Sequence, residues 1–259
     1  MTSIDQFSLT TTPIEQFFNK TELGTATGFV WAIGGEYYLI TNWHVVTCRE
    51  FPSRKYLNAH AGRPNMLRVM FNSADQTTFW KQPFEITIRD DQDKPLWLVH
   101  PLRKVDIAVV PLRLTDDQLK ILNLYPMNKL TSSDLAIYIG MEVFILGYPF
   151  GAGPPAYPIW KRGSIASEPD LAPFTDTFLR VDTASRPGMS GGPVILRSWT
   201  NHLMQDGTNR PLDATTRTRF IGVYSGRLVA KDDLDTQIGM VWPATAIDEI
   251  IACNMRDTD

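Results

Sequence analysis

From Gly24 onward the chain is written almost entirely in short runs of β-branched and aromatic residues. They are TGFVWAI, GEYYLIT, MLRVMF, FEITIR, DIAVVPL, MEVFILGY, TFLRVDT, GPVIL, RFIGVYS and IGMVW, separated by glycine, proline, asparagine and aspartate. Such runs read as strands. Helical periodicity is nearly absent between them, which argues for antiparallel barrels or sandwiches against a parallel sheet with crossover helices, so the fold class is all-β. Gly34-Gly35 between two of the runs predicts a tight hairpin.

Two helices are expected at the ends. Thr12 before Pro13, with Glu15 at the third helical position, predicts a short N-terminal helix through Phe17 and Phe18. Pro243 opens ATAIDEIIAC, where Ala246, Ile247, Ile250 and Ile251 share one face, predicting a helix over 243–253 docked on the second β-rich half. Residues 113–140 are richer in polar and turn residues and separate two β-rich halves.

Composition enters as a filter. The 259 residues allow one large domain or two small lobes. With 25 Lys plus Arg against 28 Asp plus Glu, the net charge of −3 offers no field for nucleic acid or an anionic membrane. The opening MTSIDQFSLTTTPIEQFF lacks a basic segment followed by an apolar one, and no apolar run reaches the roughly 18 residues of a span, so a cytoplasmic protein is expected. Cys48 and Cys253 read as two reduced thiols. His60, His100 and His202 lack metal-ligand spacing, and the acidic groups Asp90, Asp91, Asp93 and Asp232, Asp233, Asp235 lack calcium-loop spacing. Gly151 to Pro155 reads as a turn, not a phosphate cradle. No metal and no cofactor is expected.

Three segments carry reactive residue types at strand ends or turns. His44 ends the apolar run ITNWHVV, Asp106 opens VDIAVV, and Ser190 sits among glycines in PGMSGGPV. Singly each has an ordinary structural reading: a satisfied core histidine, a turn cap, a flexible loop. Together they supply a nucleophile, the imidazole that takes its proton, and the acid that fixes the imidazole. Glycines around the serine let backbone N–H groups aim at a developing oxyanion, with Gly188 and Ser190 as donors around Met189.

These residues resemble the chymotrypsin-like serine proteases, and within them the bacterial Deg/HtrA-type branch. GFVWAIGGEYYLITNWHVV is similar to the hairpin that carries the family's histidine, VDIAVVPL to the strand entry of its aspartate, and ILGYPFG to the opening of its second barrel. DTASRPGMSGGPVI is similar to the nucleophile loop, IGVYSG to the strand that pairs with substrate, and IGMVWPATAIDEII to the pocket strand and closing helix. The resemblance implies two six-stranded antiparallel barrels: a single trypsin-like domain over 1–259, with a first lobe over 21–115, a linker over 116–140 and a second lobe over 141–242. It implies His44, Asp106 and Ser190 as catalytic residues, Gly188, Met189 and Ser190 at the oxyanion hole, and Ser225 supporting the triad. Ala184, Ser185, Arg186, Ser225, Gly226, Arg227 and Gly239 would contact substrate.

Met189 stands where digestive relatives carry an activating aspartate, so that form of zymogen cleavage is not expected. No acidic residue occupies Ala184, which disfavours Lys or Arg in the primary pocket and leaves small or medium apolar residues. No regulatory domain is expected after the closing helix. The expected function is an intracellular serine endopeptidase acting on a protein or peptide. The alternative is a latent or non-catalytic module of the same fold that binds a polypeptide or awaits an activating or regulatory partner. A serine esterase would need parallel strands and helices around Ser190.

Overall fold

The computed structural model describes residues 4–57, 62–73, 81–102, 104–151, 157–171, 178–227 and 237–258, the side chain of Arg227 excepted. His60, the group Asp232, Asp233 and Asp235, and most of the Gly151–Pro155 turn lie outside the described residues. All ten runs singled out in the sequence carry strand, and two β-rich lobes result.

The first lobe is one antiparallel sheet. Its strands are β1 (Thr11–Phe18), β2 (Thr21–Ile33), β3 (Glu36–Thr41), β4 (Met66–Ser73), β5 (Lys81–Thr87), β6 (Leu98–Val99), β7 (Ala108–Leu112) and β8 (Leu122–Asn123). They run in the order β5-β4-β1-β2-β3-β7-β6, with β8 paired to β4. The second lobe comprises β9 (Glu142–Gly147), β10 (Ile159–Ile165), β11 (Leu179–Asp182), β12 (Pro193–Ser198), the small pair β13 (His202–Leu203) and β14 (Asn209–Arg210), β15 (Arg217–Arg227) and β16 (Ile238–Pro243). Six of these close a barrel, β10-β11-β16-β15-β12-β9. The Gly34-Gly35 turn joins β2 to β3 with both glycines at positive φ, +61° and +89°, where a Cβ would be strained.

The expected helix through Phe18 is a strand instead. The helix lies earlier, at α1 (Gln6–Thr10), where the Asp5 side chain accepts from the Phe7 N–H. The Thr12 hydroxyl is not free to cap a helix, because it accepts from Met70 N at 2.8 Å and donates to Met70 O at 3.0 Å, stitching β1 to β4. Ile14 and Phe17 then point into the core. The first sheet therefore begins ahead of residue 21 and draws β8 from the span read as linker.

A second correction concerns the closing helix (Thr245–Cys253). Ala246, Ile247 and Ile250 are buried as expected, but their core is shared by Phe29, Ile107 and Val109 of the first lobe and Ile195, Val223 and Trp242 of the second. The indole N–H of Trp31, on β2, also donates to Asp248 at 3.1 Å. The helix thus ties the two lobes together and does not dock on the second alone. Both cysteines are free thiols, Cys48 buried and Cys253 exposed. No described helix is long and apolar enough to cross a membrane.

Candidate active site

The ladder between β3 and β7 sets two of the three reactive groups side by side. Thr41 at the end of β3 pairs with Ala108 at the start of β7. The chain leaves β3 through Asn42 into a single helical turn, α2 (Trp43–Thr47), so His44 projects from the same end of the ladder that Asp106 enters.

Asp106 is 1% exposed, and an ionised carboxylate at such a site needs donors on all sides. It has them. Oδ1 accepts from the His44 main-chain N–H at 3.0 Å, while Oδ2 faces His44 Nδ1 at 2.6 Å and accepts from Ser225 Oγ at 2.5 Å. Asn42 Nδ2 donates to the Asp106 carbonyl at 2.7 Å. A carboxylate against Nδ1 puts the imidazole proton there and leaves Nε2 as the basic nitrogen. Burial works against a charged His44, but the charge and hydrogen bond of Asp106 outweigh it and hold the histidine pKa above its ordinary value.

Ser190 lies in the loop between β11 and β12, clamped from the first lobe by Thr27. The Thr27 N–H donates to Ser190 O at 2.8 Å, and Thr27 Oγ1 donates to Gly188 O at 2.7 Å while accepting from Tyr148 N at 3.1 Å. Gly188 has φ +95°, and a Cβ there would sit 2.3 Å from Tyr148 O. Gly191 has φ +84°, and its Cβ would sit 2.2 Å from Thr27 O. Only glycine fits either position.

The loop's donors separate into two sets. The N–H groups of Met189, Gly191 and Gly192 donate to Arg186 O, Tyr224 O and Met189 O. Those of Gly188 and Ser190 have no acceptor among the described residues. Pro187 O accepts from Phe150 N at 2.9 Å. Met189 was expected at the oxyanion hole, and here the structure differs: its N–H is already bonded and its side chain, 1% exposed, packs in the barrel core with Ile145, Val181 and Val194. An apolar residue at this position gains burial where an acid would need a cation.

Strand β15 joins the two halves of the site. Its register breaks after Tyr224, with Gly226 at φ +94°. Ser225 reaches Asp106, while a methyl placed on Gly226 would lie 3.8 Å from Ser190 Oγ. Of two consecutive residues of one strand, Ser225 therefore bonds the carboxylate of the first lobe and Gly226 lies beside the serine of the second. Arg227 pairs with Gly239 on β16. Of the remaining expected substrate contacts, Ala184 is half-buried, Ser185 is buried and Arg186 is exposed, its guanidinium donating to Ser185 O at 3.3 Å. The ring of Tyr224 covers Gly239 so closely that a methyl there would meet Cε2 at 2.4 Å. Thr27 and Asn42 escaped the sequence reading. The one signal either carries is a polar residue inside or just after an apolar strand.

An antiparallel sheet facing a closed six-stranded barrel, with a His–Asp pair on one and a glycine-bound serine loop on the other, is the architecture of the chymotrypsin-like proteases. The trypsin-like peptidase domain matches over residues 26–200, and the chain belongs to that family. It is 29% identical over 180 residues to the chloroplastic Protease Do-like 1 of Arabidopsis thaliana, an alignment covering 68% of this chain and 31% of that relative. The chain thus spans less than a third of the length of that relative. Its fold is similar to that of a serine endoprotease from Yersinia pestis, with TM-score 0.53 and 18% identity over 99% of this chain and 68% of the other. A similar likeness holds to Rv3671c from M. tuberculosis H37Rv, with TM-score 0.50 and 19% identity over 95% of this chain and 87% of the other.

Proposed function

We propose that the protein is a serine endopeptidase that cleaves polypeptides through an acyl-enzyme. Ser190 Oγ attacks the scissile carbonyl carbon as His44 Nε2 takes its proton, and Asp106 steadies the imidazolium. The carbonyl oxygen, now an anion, is received by the N–H groups of Gly188 and Ser190. Collapse of the tetrahedral adduct expels the amine, which leaves with the proton from His44. Water, deprotonated by His44, then attacks the acyl carbon and frees Ser190 and the new carboxylate.

One observation carries this function: within the serine loop, the N–H groups of Gly188 and Ser190, on either side of Met189, have no acceptor among the described residues. A peptide would lie along residues 225–227 as an added strand. The Tyr224 ring over Gly239, together with the absence of an acid at Ala184, favours small or medium apolar side chains in the primary pocket. The two free thiols support a reducing, intracellular setting.

Fluorescently labelled casein tests the activity. Wild type is expected to release labelled peptides, and Ser190→Ala at equal concentration to release them at least about 10³-fold more slowly. Equal release from both would refute the assignment.

A further inference from the structure

The last described residues form a feature that peptide hydrolysis does not by itself require. Strand β6 is the edge of the first sheet. Beyond the closing helix the chain turns back along that edge: Val99 N donates to Met255 O at 3.0 Å, Leu98 bridges Arg256, and Asp257 N donates to Trp97 O at 3.2 Å. Edge strands are commonly covered in some such way. What is unusual is the residue delivered there. The Asp257 side chain enters the protein, 4% exposed, and its Oδ2 accepts from the indole N–H of Trp43 at 2.7 Å and of Trp97 at 3.2 Å. Its Oδ1 accepts from Thr258 N at 2.8 Å.

Trp43 is the residue immediately before His44, in the same helical turn. A helix of five residues has almost no stability of its own, so its orientation is set by what holds it from outside. Among the described residues four contacts do so: His44 N to Asp106 Oδ1, His44 Nδ1 to Asp106 Oδ2 at 2.6 Å, Gln16 Nε2 to Val45 O at 2.7 Å, and Trp43 Nε1 to Asp257 Oδ2. Asp106 holds the His44 main chain and ring, and Gln16 grips the backbone at Val45. Asp257 grips the neighbouring Trp43 side chain, which acts as a lever on the turn, and Arg54 and Phe51 pack against the same ring. Two buried indole N–H groups need an acceptor, and the carboxylate needs donors, so each side of this contact holds the other in place.

We infer that Asp257 is a positioning residue for the histidine: by fixing the Trp43 indole it sets the rotation of α2, and through it the direction in which His44 presents Nε2 to Ser190. Its catalytic consequence rests on His44 being the general base. Misplacement of a catalytic group by about 1 Å is enough to cost about 10²-fold in rate.

Two readouts test it on the full chain, with circular dichroism to establish folding: the second-order rate of labelling by a fluorophosphonate, and the titration of the His44 ring followed by NMR, which needs no turnover. Asp257→Ala is expected to slow labelling about tenfold and to move the His44 midpoint down, because a looser contact with Asp106 loses part of what holds it up. Asp257→Asn should stay within about threefold of wild type, since its amide oxygen still accepts from both indoles. Trp43→Phe, which keeps an aromatic ring and the carboxylate but removes the pyrrole part with its N–H, should reproduce Asp257→Ala, and the double variant should be no worse than the poorer single one. A wild-type rate and midpoint in Asp257→Ala, or losses that multiply in the double variant, would overturn the inference. Should Asp257→Ala lose its fold, an unshifted His44 midpoint in Trp43→Phe would overturn it alone. Failure of wild type to label would count against the function, while the midpoints still decide whether Asp257 governs His44.

Discussion

Replacing His44 with alanine is expected to lower fluorophosphonate labelling and peptide hydrolysis by about 10⁴- to 10⁶-fold, with folding retained. The size follows from the chemistry, since a serine hydroxyl has almost no alkoxide at neutral pH and the proposed mechanism assigns the imidazole to take its proton. The fold survives because the histidine side chain is 19% exposed and Asp106 keeps the donations from Ser225 Oγ and from the main-chain N–H of residue 44. The pH profile adds a sign. A protonated His44 cannot act as base, so the wild-type rate rises with pH through the His44 pKa, which Asp106 raises above 6.5. The midpoint is therefore expected above pH 6.5, and the step should vanish in the variant. The same contact adds stability that is fully present below pH 6.5 and is lost as pH climbs through the raised pKa.

Gly188→Ala should produce the second-largest effect, a loss of about 10²- to 10³-fold in labelling rate. The added carbon meets Tyr148 O at 2.3 Å and Phe150 N at 3.1 Å, and the φ of +95° is itself strained for a side chain. The loop must move, and the N–H it moves is one of the two proposed to receive the oxyanion. Stability should fall by about 1–3 kcal/mol as well. Gly35→Ala is the control. It shares the strained backbone, φ +89°, yet has nothing within 4 Å, so it should cost about 1 kcal/mol in chemical denaturation and leave labelling unchanged.

What the sequence made legible was local. The strand runs are short and bounded by turn residues, so period and punctuation agree, and both helix-poor lobes follow. His44, Asp106 and Ser190 stood out because each is a reactive type at a strand end or turn, and the structure pairs the first two. The misses were all settled by partners far along the chain. Thr12 looks like a helix cap until Met70, 58 residues away, takes its hydroxyl. Met189 sits in a loop that reads as a hole of backbone donors, yet its side chain belongs to the barrel core. The closing helix shows its apolar face in the sequence, but nothing there tells that half of its partners come from the first lobe. Asp257 reads as an acidic end of chain, and only the fold brings two indoles to it.

The most direct test of the central claim is intact mass after treatment with a fluorophosphonate probe, with the adduct located by peptide mapping. A single adduct on Ser190 of wild type, absent from Ser190→Ala and not detectable on His44→Ala over the same time, is the expected result. Folded wild type that takes no adduct, or an adduct that persists in Ser190→Ala, would contradict a preformed triad at His44, Asp106 and Ser190.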